Sequence, residues 1–257
     1  MRGLAAYEGG VAWRLETYTQ VPSTSELCAA RARAGEPEGL AVLAAQQTKG
    51  RGRGDRLWLS PPGNLAISVL LRPQTPLAMA GRWALLAGVA LHMALVETAP
   101  AAALDLRLKW PNDVMLAGAK LGGILIDASA DARGCSEWLV IGFGVNLLAA
   151  PDVAGRQVAA LSLHVAMPPT APDLARALLF HLSHGRTGLH DDDGFARLRA
   201  AWLERAHPIG TALTVRQGSG ACQGYFVGLD DTGALLLETE GGIRKIQTGE
   251  AMLAGAA

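Results

Sequence analysis

Cysteine is scarce in this chain. Cys28, Cys135 and Cys222 are the three in 257 residues, and no two of them form a C-x-x-C pair. That excludes a zinc ribbon and a thioredoxin-like motif, and it fits reduced thiols in a cytoplasmic protein. A charge bias is missing as well: 23 Lys and Arg stand against 23 Asp and Glu, so the formal net charge is zero. A nucleic-acid-binding domain usually carries a basic excess or a broad basic face, so no nucleic-acid partner is expected. Neither a leader nor a membrane-spanning apolar run is expected. The N-terminal MRGLAAYEGGVAWRLE meets Glu8 early, and WALLAGVALHMALV falls short of a membrane span and contains His92. No membrane partner is expected either.

Half of the residues are hydrophobic, enough for a substantial core in one large domain or a large and a small one. WRLETYTQV alternates as a half-buried strand does. PSTSELCAARARAG follows, with Ser23 and Glu26 at capping-box spacing and Gly35 as a stop. GLAVLAAQQ and NLAISVLL read as strands, and a long apolar helix is predicted from Met79 to Glu97. DLRLKW is a strand. DVMLAGAKLGGILIDAS is a hairpin turning near Ala117-Gly118, and EWLVIGFGVNL is a buried strand. Residues 151–169 read as loop, and two helices follow, at 171–188 and 193–207. Beyond Gly210 the chain changes to short strands between glycine-rich turns: GTALTVRQ, CQGYFVGLD, GALLLETE and GIRKIQ. That is the pattern of a small barrel. The expected class is α+β, with a catalytic domain over residues 1–208 and a small β-barrel over 209–257.

The most unusual stretch is KGRGRGDRLW, residues 49–58. Lys49, Arg51, Arg53 and Arg56 alternate with Gly50, Gly52 and Gly54, and Trp58 closes the segment. Charge repulsion and glycine entropy both oppose order here. Backbone N–H groups in such a loop can converge on an anion, and arginines add bidentate bonds. It is neither a Walker loop nor a dinucleotide fingerprint, and a solvated surface turn would explain it equally well in isolation. A second constellation changes that. In KWPNDVMLAGAKLGGILID, Pro111 fixes a turn presenting Asn112 and Asp113, Lys120 opens the return strand, and Gly122-Gly123 allow a close approach.

Together these segments resemble the biotin–protein ligases, in the form without an N-terminal DNA-binding domain. The family pattern Q-T-x-G-R-G-R-x-G-R-x-W is matched at Gln47 to Trp58, K-W-P-N-D at Lys109 to Asp113, K-L-x-G-I-L at Lys120 to Leu125, and G-x-G-x-N at Gly142 to Asn146. Ser23-Thr24 stand where the family has its early Ser-Thr. Two positions depart from the pattern. Asp55 replaces a glycine and is expected to pair with a neighbouring arginine when the site is empty; Ser25 replaces a frequent asparagine. The resemblance implies a mixed-sheet domain of the biotin/lipoate ligase type with helices packed on it, plus an SH3-like barrel. It implies ATP-dependent formation of biotinyl-5′-AMP, then transfer to a lysine of a biotin carboxyl carrier domain of acetyl-CoA carboxylase or another biotin-dependent carboxylase. ATP and biotin would be substrates, with Mg²⁺ held by no dedicated protein ligands.

Roles follow from the same resemblance. Lys120, Arg53 and Arg51 would be catalytic. Ser23, Thr24, Ser25, Gln47, Arg51, Gly52, Arg53, Lys120, Gly122 and Gly123 would bind biotin. Arg56, Trp58, Lys109, Asn112, Asp113 and Asn146 would bind the nucleotide, with Arg244 and Lys245 as further candidates. The loop would be mobile until a ligand supplied counter-charge. A lipoate–protein ligase or octanoyltransferase of the same fold is the alternative. A DNA-binding repressor is disfavoured, since only residues 1–22 precede Ser23. A monomer or a homodimer is expected. His181, His184, His190 and Asp191 to Asp193 read as polar helix ends, and His92 as a satisfied core histidine.

Overall fold

The computed structural model describes residues 11–54, 56–189, 191–218 and 220–253. The predicted strands form one seven-stranded mixed sheet from β1 (Arg14–Val21), β2 (Leu40–Gln47), β3 (Leu65–Leu71), β4 (Leu106–Lys109), β5 (Asp113–Leu116), β6 (Ala119–Ala130) and β7 (Ser136–Val145), in the order β1-β2-β3-β7-β6-β5-β4. Only β1 and β2 run parallel; the other neighbours are antiparallel. The β5–β6 hairpin turns at Ala117 and Gly118, both at positive φ, as two-residue hairpin turns of the primed type require.

Strand alternation divides the sheet into two unlike faces. Leu65, Ile67, Val69 and Leu71 of β3, with Leu139, Ile141, Phe143 and Val145 of β7, join the large core. Three helices cover that face: α2 (Ala80–Thr98), α3 (Ala171–Gly185) and α4 (Asp192–Arg205). On the other face, Leu40, Val42, Leu70 and Val140 pack under a single helix, α1 (Thr24–Arg33), through Cys28, Ala29 and Ala32. One helix cannot cover seven strands. The uncovered part, over β5 to β7, is where the cavity lies.

The apolar stretch reaches further than the sequence suggested. A 3-10 turn precedes α2, and Leu77–Thr98 is 22 residues long with a mean hydropathy of 1.5 over its most apolar stretch, enough by length and composition to cross a membrane. Its apolarity is explained by its place: α2 packs on the sheet, α3 and α4, and 61% of its most apolar stretch is buried. His92 on this helix differs from expectation, because its Nδ1 is buried with no hydrogen-bond partner. Burial, helped by the nearby Arg205 charge, pushes its pKa down to about 4. Below the ordinary value near 6.5, the unfolded chain takes up a proton that the folded chain refuses. Stability should therefore fall as pH drops from about 6.5 to 4, by up to roughly 3 kcal/mol. Urea unfolding of His92→Leu at pH 7 and pH 5 should show a smaller loss between the two than the parent does; equal losses would show that His92 stays unstrained by burial.

The C-terminal segment forms an antiparallel sheet of the small SH3-like type. Its strands are β8 (Ala212–Gln217), β9 (Gly220–Leu229), β10 (Leu235–Thr239), β11 (Gly242–Ile246) and β12 (Glu250–Leu253), ordered β11-β10-β9-β8-β12. The sequence reading ended at the fourth strand. EAML is too short to show a period, and β12 exists because it pairs with β8. This sheet abuts the larger unit through the buried Trp110, whose Nε1 donates to Gly233 O at 3.2 Å.

Candidate active site

The cavity, of about 400 Å³, opens on the α1 face of the large sheet. Its floor is glycine. Gly123 and Gly144 are cross-strand partners on β6 and β7, and Gly142 lies two residues back on the same face. The absence of side chains there is required. A Cβ at Gly144 would lie 2.3 Å from the Trp58 indole, and one at Gly142 would lie 2.4 Å from Ser25 Oγ. The G-x-G-x-N motif thus leaves space for the lid tryptophan and for the start of α1.

At one end stands a hydroxyl and amide cluster. Ser23 caps α1 by accepting from Glu26 N, which places Thr24 and Ser25 in the first turn. Gln47 Oε1 accepts from Thr24 N at 2.8 Å and Thr24 Oγ1 at 3.1 Å. Ser68, fully buried on β3, lies 2.7 Å from Thr24 Oγ1 and 2.9 Å from Ser25 Oγ. Sequence reading missed Ser68. The signal was available, because it is the lone polar residue inside LAISVLL.

The opposite wall carries the lysines. Asp113 accepts from Lys120 Nζ at 2.5 Å on one oxygen and lies 3.0 Å from Lys109 Nζ on the other. Burial alone would raise its pKa; the Lys120 and Lys109 ammoniums outweigh that and hold the carboxyl below its usual range. Lys120 Nζ also stands 5.7 Å from the centre of the Trp58 ring. Its backbone is fixed by bonds to Gln157 O and from Ala159 N, 2.9 Å each. Residues 157–159 are consequently pinned along β6.

Above the floor, the basic loop folds back on itself. Gly52 N donates to Arg56 O and Trp58 N to Gly50 O. The counter-charge expected from a ligand comes here from the protein: Arg51 pairs with Asp127 at 3.1 Å and Arg56 with Glu250 at 2.8 Å. Arg53 Nη1 donates to Asn112 Oδ1 at 3.3 Å and Gly249 O at 3.1 Å. Asn112 in turn donates to Ile124 O at 2.6 Å, in the turn after the cis Trp110-Pro111 bond. Asp55 and His190 lie outside the described residues, so the expected Asp55 pairing has no place here.

Thr24, Ser25, Gln47, Arg51, Gly52, Arg53, Arg56, Trp58, Asn112, Asp113, Lys120 and Gly123 all line the one cavity. Four expected site residues stand differently. Ser23 is a buried helix cap, and Lys109 lies behind Asp113. Gly122 faces away, where its missing Cβ admits Gly144 O. Asn146 reaches the cavity wall, but it is fully buried and its side chain donates to Ala159 O and lies 3.5 Å from Asn64 Nδ2. Arg244 and Lys245 do not line the cavity: Lys245 pairs with Asp230, and Arg244 reaches Cys222. The C-terminal sheet contributes Glu250 and Ala251 instead, and the loop after β7 contributes Arg156. These partners come from 94 to 194 positions away, and no local pattern announces them. Among the described residues, no three His, Cys, Asp or Glu side chains gather to hold a metal.

A glycine floor, a hydroxyl–amide end, a lysine wall and an arginine cover suit an enzyme that brings a carboxylate against a phosphate, a ligase of the acyl-adenylating class. The chain belongs to the biotin/lipoate A/B protein ligase family: residues 18–146 match that family, and residues 209–253 match the biotin protein ligase C terminal domain. A biotin–[acetyl-CoA-carboxylase] ligase from Paracoccus denitrificans is 37% identical over 223 residues, which are 83% of this chain and 90% of the relative. The bifunctional ligase/repressor BirA of Bacillus subtilis (strain 168) is 33% identical over 218 residues, 83% of this chain and 66% of that protein. Among solved structures, biotin protein ligase from Aquifex aeolicus in complex with biotin and ATP is similar at a TM-score of 0.76 and 27% identity, covering 93% of this chain and 97% of that one.

Proposed function

We propose that this chain is a biotin–protein ligase. It joins biotin to ATP, giving biotinyl-5′-AMP and pyrophosphate, and then transfers the biotinyl group to a lysine of a biotin carboxyl carrier domain. The observation that carries this reading is Lys120, whose ammonium is held between Asp113 and Trp58 inside a cavity covered by Arg51 and Arg53. In the first step a biotin carboxylate oxygen bonds to the α-phosphorus and pyrophosphate leaves. Both reactants are anions, so nearby cations lower the barrier by offsetting repulsion and the charge that develops. In the second step the carrier amine attacks the acyl carbon, loses a proton and expels AMP. Neither step needs a covalent protein nucleophile; positioning and electrostatics suffice.

On this reading Thr24, Ser25 and Gln47 hold the ureido head group, with Ser68 orienting both hydroxyls. Lys120 lies at the reacting carboxylate and α-phosphate. Trp58 covers the nucleotide end, and Arg56, Asn112 and Asp113 serve the nucleotide. Both Asp113 oxygens are already engaged by lysines, so the residues offer no carboxylate cage for Mg²⁺. The metal would arrive with ATP, carried by phosphate oxygens. Residues 1–208 form the catalytic unit and 209–257 the small one. The reaction belongs in the cytoplasm, with an acetyl-CoA carboxylase carrier domain as the expected acceptor and no nucleic acid involved.

Pyrophosphate release with ATP and biotin, followed by transfer to a purified carrier domain, tests the proposal. Release should depend on biotin. Release supported by lipoate or octanoate, and not by biotin, would overturn it in favour of the alternative ligases.

Arg53→Gly should form adenylate but lose it. The two bonds that tie the loop to Asn112 and Gly249 would vanish, and charged donors contribute about 1.5–3 kcal/mol each at most. Escape of biotinyl-AMP should quicken on the order of tenfold or more, labelling unrelated lysines. Labelling confined to the carrier would take Arg53 out of the retaining loop.

A further inference from the structure

Ser68 stands behind the hydroxyl and amide end of the cavity and does not line it. It lies on β3 opposite Gly142 of β7. The missing Cβ of Gly142 makes room for it: one there would lie 2.4 Å from Ser25 Oγ and 3.2 Å from Ser68 Oγ. Ser68 is fully buried, so its hydroxyl must be satisfied by Thr24 and Ser25.

The direction of every bond in this cluster follows from one fixed donor. Thr24 N–H can only donate, so the Gln47 atom that it meets at 2.8 Å is the carbonyl oxygen. That oxygen cannot donate, so Thr24 Oγ1 spends its proton on it, at 3.1 Å. Thr24 Oγ1 is then an acceptor towards Ser68, 2.7 Å away, and takes the Ser68 proton. Ser68 has no second proton, so it accepts from Ser25 Oγ at 2.9 Å. The chain runs from Ser25 through Ser68 and Thr24 to Gln47 with no free choice. Ser25 and Gln47, its two ends, both line the cavity. There Ser25 Oγ offers lone pairs, and Gln47 Nε2, which donates to no group among the described residues, offers N–H.

We propose that Ser68 is a positioning residue: it locks Ser25 as an acceptor and so makes the cavity select a cyclic urea by the order of its polar groups. The inference rests on the ligase reading. A ureido ring offers N–H donors beside a carbonyl acceptor. Its N–H faces Ser25 Oγ and its C=O faces Gln47 Nε2. Ser25 departs from the family pattern, and the departure sharpens the selection. An asparagine amide presents a donor and acceptors at once, and a hydroxyl ordinarily rotates to suit its partner. Here rotation is opposed, because a Ser25 proton turned into the cavity would forfeit the buried bond to Ser68. A ligand ring atom that carries lone pairs in place of N–H therefore meets the lone pairs of Ser25.

Titration calorimetry of the full chain tests this with biotin and the two cyclic carbamates in which one or the other ureido N–H is replaced by oxygen. In the parent, the carbamate with oxygen towards Ser25 should bind on the order of a hundredfold more weakly than biotin. Ser68→Ala frees the Ser25 proton to turn into the cavity. That variant should bind biotin about tenfold more weakly, and that carbamate no more weakly than the parent does, so discrimination shrinks to about tenfold or less. A loss of shape alone would weaken both ligands together. An unchanged ratio, or an unchanged biotin affinity, would therefore overturn the proposal. Ser25→Ala gives a second reading: once Ser25 is gone, adding Ser68→Ala should weaken biotin by less than about twofold further, and a full second loss would show that Ser68 does not act through Ser25. Should Ser68→Ala not fold, Ser68→Cys takes its place, since a thiol is only a weak donor and acceptor, and the same shrinking ratio is expected. Biotin-dependent pyrophosphate release by the parent tests the ligase reading separately. Its success beside an unchanged ratio would sink the role of Ser68 alone; no release and no biotin binding would sink both.

Discussion

Lys120→Ala is expected to give a folded protein that releases pyrophosphate at least about a hundredfold more slowly. The fold should survive for two reasons. The Lys120 backbone is held by Gln157 and Ala159 whatever the side chain. Asp113 also keeps Lys109 at 3.0 Å, so no buried carboxylate is left alone. The chemistry should not survive. The Lys120 ammonium lies 3.3 Å from where a Gly123 Cβ would be, directly over the glycine floor, and Asp113 and the Trp58 ring fix its position. Removing a preorganised cation from a site where two anions meet commonly costs a few kcal/mol of transition-state stabilisation. Near-normal biotin-dependent pyrophosphate release from a folded Lys120→Ala protein would remove this lysine from the mechanism. Weakened biotin binding with an unchanged turnover rate would reassign it to ground-state binding.

Much of this site was legible before the structure because its motifs act locally. G-x-G-x-N and K-L-x-G-I-L lie on adjacent strands, and period-two alternation puts Gly123, Gly142 and Gly144 on one face. Ser23 announces α1 by its capping geometry, and the fold then presents Thr24 and Ser25. What stayed hidden depends on long-range closure. Nothing near Arg156 or Glu250 shows that they share a point in space with Arg56, since two loops and a strand must first be placed. β12 was invisible for the same reason: four residues become a strand only by pairing with β8. Asn146 does more than its motif position suggests: it lines the cavity and also joins Asn64 and Ala159, contacts that no local pattern shows. The basic loop shows the same limit. Sequence alone reveals its unmatched cations, but not that Asp127 and Glu250 stand ready to match them.

Asp113→Ala should be the most destabilising single change in the site, by about 3 kcal/mol. The carboxylate serves two ammoniums, and its side chain is 11% exposed beside lysines at 14% and 22%. Truncation leaves two poorly solvated like charges facing each other across the gap it creates. Breaking such a pair commonly costs about 3–5 kcal/mol, and the lower figure applies because both lysines keep some water. Turnover should fall with it, since Lys120 loses the partner that aims it. The pH dependence has a definite sign. The folded Asp113 titrates below its unfolded value near 3.9, so its contribution is complete above that pH and is lost as pH falls through the folded value. Below about pH 4 the parent should therefore lose stability more steeply than the variant. That window lies under the one set by His92, so the two can be separated. Adding Lys109→Met to Asp113→Ala should recover part of the loss by removing one orphaned charge. Urea midpoints of the parent, the two single variants and the double variant at pH 7 measure this coupling directly. An Asp113→Ala midpoint equal to the parent's, or no recovery in the double variant, would show that the lysines do not depend on Asp113 and that another group neutralises this wall.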